Sequence, residues 1–131
     1  MARAMEFSSL RPIDRPLNPV DVENAIFNIS NEIAKTVKTV TEAEQRYMTA
    51  KRVFDRAEAK ALLASTGTVQ VKKAQVELAT IAERDAMDVA YVAWKYADRR
   101  SKALSLQLDA IRSIGASVRG MYAVAGRGEG A

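Results

Sequence analysis

From Ile26 to Ala61 every seventh residue is apolar or aromatic, through Ile26, Ile33, Val40, Tyr47, Phe54 and Ala61. A second series of smaller residues follows three places behind, at Ile29, Thr36, Ala43, Ala50 and Ala57. Two interleaved series at this spacing lay a narrow stripe along one long helix, and such a stripe must be covered by other helices. The pattern predicts an all-α, coiled-coil-like chain that associates with itself, with copies of itself, or both.

The boundaries follow from local chemistry. Residues 1–18 contain Pro12 and Pro16 without a sustained period, which reads as an extended or disordered arm. Asn18 is an N-cap candidate, Pro19 suits the first helical position, and Asp21 and Glu23 place carboxylates where backbone N–H groups lack partners. No proline or glycine interrupts the chain from there to Gly67, so the first helix runs to about Leu63 and breaks in Ala64-Ser65-Thr66-Gly67-Thr68.

Thr68 is a plausible cap for a second helix, whose apolar positions are Val71, Ala74, Leu78 and Ile81 before the stripe shifts to Met87, Trp94 and Ala97. Helical spacing continues through Leu104, Leu108, Ile111, Gly115, Val118 and Tyr122. Gly115 and Gly120 each weaken a helix by about 1 kcal/mol relative to alanine, so a bend or separate short helix is expected near Ser113 to Ala116. The domain expected is a long helical hairpin over 19–125, with a flexible tail at 126–131.

Chemistry is constrained mainly by what is missing. The chain has no cysteine and no histidine, which removes disulfides, thiol nucleophiles, imidazole acid–base chemistry and the soft metal ligands. No cofactor or metal is expected. No secretory leader pattern and no apolar run near membrane-spanning length occur, so the expected compartment is cytoplasm. With only 6% aromatic residues and many alanines, two long helices make a thin core, and homo-oligomerisation is the expected remedy.

Charge is distributed unevenly. Residues 1–94 balance 13 basic against 13 acidic groups, whereas residues 95–131 hold 7 basic and 3 acidic, so the whole net charge of +4 lies in the last quarter. That asymmetry favours an anionic partner, nucleic acid before membrane, although a helix C-terminus attracts cations for dipole reasons alone. On the first helix Arg52, Arg56 and Lys60 form an i,i+4 row beside Lys51, and Lys72-Lys73 stands across the turn. Cations in such rows replace the counterions condensed on a polynucleotide. They also have Asp55, Glu58 and Glu77 nearby with which to pair. Lys95, Arg99 and Arg100 surround Tyr91, Trp94 and Tyr96, a composition suited to single-stranded nucleic acid. Trp94 itself lies on the apolar stripe with Leu104 and Leu108, so packing is its expected role.

Three segments in order carry a family resemblance: Lys60-Ala61-Leu62-Leu63-Ala64-Ser65-Thr66-Gly67 at the turn, Trp94, and Leu108-Asp109-Ala110-Ile111-Arg112-Ser113-Ile114-Gly115. Over residues 42–122 the chain resembles the UvsY-like phage recombination mediators. The resemblance implies a helical, ring-forming, non-enzymatic protein of the phage-infected bacterial cell. It further implies single-stranded DNA binding without sequence preference, and loading of a recombinase onto DNA covered by single-strand-binding protein. The family's basic motif before the turn places its lysine at Lys60, while Leu62 stands where the family has arginine. The DNA-binding candidates are therefore Arg56, Lys60, Lys72, Lys73, Arg99 and Arg100. The packing candidates are Ile26, Ile33, Val40, Tyr47, Phe54, Trp94, Leu104, Leu108 and Ile111.

Two other classes fit parts of the pattern. A phage helical adaptor, scaffold or inhibitor of a host protein needs only the apolar stripe. An all-α Mg²⁺-dependent nucleotide pyrophosphohydrolase needs converging carboxylates, for which Asp55 with Glu58 and Asp85 with Asp88 supply i,i+3 pairs on two helices.

Overall fold

The computed structural model describes residues 18–129, and these form three α-helices with no strand among them. Helix α1 spans Pro19–Ala64, α2 spans Val69–Ala79 and α3 spans Ile81–Glu129. The arm expected at 1–18 lies outside the described residues except for Asn18. That residue caps α1, its side-chain oxygen accepting from the Asp21 amide at 2.9 Å while its carbonyl accepts from Val22 at 3.2 Å.

The first turn closes on several fixed contacts. Gly67 has φ of 107°, a left-handed conformation that favours glycine. Gln75 clamps the neighbouring peptide: its Oε1 accepts from the Thr66 amide at 3.1 Å and its Nε2 donates to the Thr66 carbonyl at 3.2 Å. Thr68 caps α2 by accepting from the Val71 amide at 3.4 Å.

Described residues fall into two compact units, one made of residues 18–30 with 106–129 and the other of Asn31–Ser105. In the second unit α1 and α3 run antiparallel: Phe54 meets Arg84, Tyr47 meets Tyr91 and Trp94, and Glu32 meets Arg100. Its seam on α1 is Ile33, Thr36, Val40, Ala43, Tyr47, Ala50, Phe54, Ala57 and Ala61, all half-buried or buried. Its α3 side is Met87, Ala90, Trp94, Ala97, Ser101 and Leu104, spaced alternately by three and four. In the first unit Val22, Leu108 and Val118 are buried, with Ile26, Ile29 and Ile111 half-buried beside them.

The structure corrects three sequence expectations. Val71, Ala74, Leu78 and Ile81 are exposed, and the inward positions are instead Lys72, Val76 and Thr80. The fully buried Thr80 ends α2, and Val76 and Lys72 stand four and eight places before it on the same face. Its hydroxyl donates to the Val76 carbonyl at 2.8 Å, a back-bond that bends helices, and its carbonyl accepts from the Arg84 amide to start α3. The short helix therefore precedes the second long one instead of following it. No separate short helix forms near Ser113 to Ala116: α3 stays helical to Glu129, so residues 126–129 of the expected tail are helical, and residues 130–131 lie outside the described ones.

Gly115 serves close packing. A Cβ built there would stand 2.7 Å from Val22 Cγ1, whereas one at Gly120 would meet nothing within 4 Å. Valine in a helix has little rotamer freedom with which to yield. Gly120→Ala is expected to stabilise the fold by up to about 1 kcal/mol through helix propensity. Gly115→Ala is expected to destabilise it, because overpacking costs about 1–3 kcal/mol against the same gain. Paired urea melts followed by circular dichroism check the opposite signs.

Candidate nucleic-acid interface

Arg52, Arg56 and Lys60 project from α1 away from the seam residues Phe54, Ala57 and Ala61, and all three are exposed. Ion pairs among the described residues are Lys35–Glu32, Lys38–Glu42, Arg84–Glu77, Arg100–Glu32 and Lys102–Asp98. None of them engages Lys51, Arg52, Arg56, Lys60, Lys72 or Lys73. Of the carboxylates available to neutralise this end, Glu77 pairs with Arg84 at 3.9 Å, and Asp55 and Glu58 pair with none of the cations.

Lys72 and Lys73 do not join that row in one cavity. They line a groove of about 890 Å³ with Glu58, Leu62, Val69 and Arg84, while Arg56 and Lys60 stand outside it. Lys72 is half-buried because its position turns inward with Val76 and Thr80.

Around Trp94 the rings use one another. Tyr47 stacks on Trp94 at 5.4 Å and 22°, Tyr91 meets it edge-on at 6.1 Å and 84°, and the Lys95 ammonium sits 4.2 Å from its centroid. Nearby, Arg99 is exposed without a carboxylate partner among the described residues, whereas Arg100 is held by Glu32 at 3.9 Å. A hydrogen bond from Lys102 holds the Asp98 carboxyl below its usual range, and the charges of Lys102, Lys95 and Arg99 act in the same direction.

A second groove, of about 320 Å³, was missed in the sequence. Its floor is Thr36, Ala43 and Ala97, all buried, and its walls include Arg46, Tyr96 and Arg100. The available signal was alanine at facing seam positions of two helices, Ala43 and Ala97, which leaves a hollow where larger residues would fill one.

Asp55, Glu58, Asp85 and Asp88 are not gathered into a cation site, since no three potential ligands cluster among the described residues. No described helix is long and apolar enough to cross a membrane. The chain matches no protein-family model, no curated protein and no solved structure.

Proposed function

We propose that this chain is a non-enzymatic, homo-oligomeric phage protein that binds single-stranded DNA and helps a recombinase load onto strands covered by single-strand-binding protein, in the cytoplasm of the infected cell. The observation that carries the proposal is the set of cations Arg52, Arg56, Lys60, Lys72 and Lys73, none of which has a carboxylate partner among the described residues. Cations free of internal partners lose little on meeting phosphates and release condensed counterions as they do so. The resemblance to the UvsY-like mediators supplies the biological setting and places Lys60 in its basic motif.

Self-association is supported by the thinness of the core. Among the described residues five apolar side chains are buried, against twenty large ones that are exposed. Copies packed side by side would cover part of that surface and multiply modest phosphate contacts by avidity.

The test is fluorescence anisotropy with labelled oligo-dT at low salt, comparing the wild type with the Lys72→Ala/Lys73→Ala double variant. Binding by the wild type, with a salt slope reduced by about 1.4 in the variant for two lost phosphate contacts, is the expected result. Wild-type indifference to the oligonucleotide defeats the proposal.

One observation favours a second class, a helical adaptor acting through protein contacts. Val69, Val71, Leu78 and Ile81 are exposed on α2 and at the start of α3, while the polar Thr80 faces inward. If the protein ignores DNA, that outward apolar surface becomes its functional face.

A further inference from the structure

We infer that Tyr96 is a base-stacking platform, with the groove beside it receiving a nucleobase of single-stranded DNA and Arg46 meeting an adjacent phosphate. The inference rests on the nucleic-acid reading above and adds a subsite to it.

Tyr96 is 67% exposed, unlike the half-buried Tyr47 and Trp94. The faces of those two rings, with Tyr91, are engaged by one another and by Lys95. Tyr96 makes no such ring contact. It stands at the wall of a groove floored by Ala43, Ala97 and Thr36, whose short side chains leave room for a flat ring.

The charges around the groove suit a phosphodiester. Its two carboxylates are already engaged: Glu32 holds Lys35 at 3.4 Å and Arg100 at 3.9 Å, and Glu42 holds Lys38 at 3.9 Å. Arg46 is exposed, lines the same groove and has no carboxylate partner among the described residues. A guanidinium can take two phosphate oxygens at once while the neighbouring base lies on the tyrosine face, the pairing of contacts on which sequence-tolerant strand binding depends. All of these residues belong to the unit Asn31–Ser105.

The experiment compares labelled oligo-dT with an abasic deoxyribose-phosphate oligomer of equal length, using wild type, Tyr96→Leu and Tyr96→Phe. Leucine keeps apolar bulk and helix propensity, and phenylalanine keeps the ring. Anisotropy is expected to show the wild type preferring oligo-dT by about tenfold or more. Tyr96→Leu should lose that preference while its abasic affinity, salt slope and sedimentation coefficient stay unchanged, and Tyr96→Phe should retain it. Equal wild-type binding to both oligomers overturns the subsite alone. An altered sedimentation coefficient in Tyr96→Leu also overturns it, since the ring would then be packing against a second copy. A chain that binds neither oligomer overturns the nucleic-acid reading and this subsite together.

Discussion

Trp94→Ala is expected to lower stability by about 3 kcal/mol, the lower end of the range for removing a large aromatic from a packed site. On a fold whose total stability is about 5–15 kcal/mol, that is a melting-temperature drop of about 10 °C. The size follows from what surrounds the ring. Its neighbours along the α3 seam are Ala90, Ala97 and Ser101, none of which replaces the indole's contact area. Tyr47 stacked at 5.4 Å and Tyr91 edge-on at 6.1 Å lose a partner at once, each such pair adding about 0.5–1.5 kcal/mol beyond area burial. Thermal melting by circular dichroism checks this. An unchanged midpoint would place the ring outside the packing and make it a stacking candidate in place of Tyr96.

The second large effect concerns affinity. Replacing Arg52, Arg56 and Lys60 together by glutamine keeps helix propensity and polarity while removing three charges from the outward face of α1. If each meets a phosphate, the slope of log affinity against log salt for a single strand flattens by about 2. Repetition of the row in every copy of an oligomer enlarges the loss of affinity at low salt. Helical content should remain as in the wild type, because these residues make no ion pair and lie off the seam. A slope identical to that of the wild type would leave the row as a solvated face.

Much of the architecture was legible because the helical seam is written in spacing. Ile33, Val40, Tyr47 and Phe54 face inward at the seven-residue interval that marks them in the sequence, and Trp94, Leu104 and Leu108 are half-buried or buried on α3. Asn18 and Thr68 were readable as caps because a short polar side chain before a helix has one obvious use. The phase of α2 was not readable. Hydropathy assigns Val71, Leu78 and Ile81 to the inside, yet the inward places go to Lys72, Val76 and the threonine that caps the helix. Gly115 misled for a related reason: composition registers the cost of glycine in a helix, but the benefit lies in a valine 93 positions away in sequence that needs the space.

The candidate site was legible as a set of residue types and not as a pattern of partners. Arg56 and Lys60 looked equally able to pair with Asp55 or Glu58, and side-chain geometry was needed to find them without carboxylates. Arg100 shows the opposite outcome. It belongs to the most basic stretch of the chain, but Glu32, distant in sequence, already holds it.

Sedimentation velocity of the full chain mixed with fluorescent oligo-dT, in dilute buffer and again in concentrated salt, tests the central claim most directly. Detection through the oligonucleotide follows its bound state, and absorbance follows the protein. The account predicts a multi-copy species that carries the oligonucleotide in dilute buffer and releases it, still assembled, when salt is raised. A single-copy protein that never travels with the oligonucleotide would contradict it.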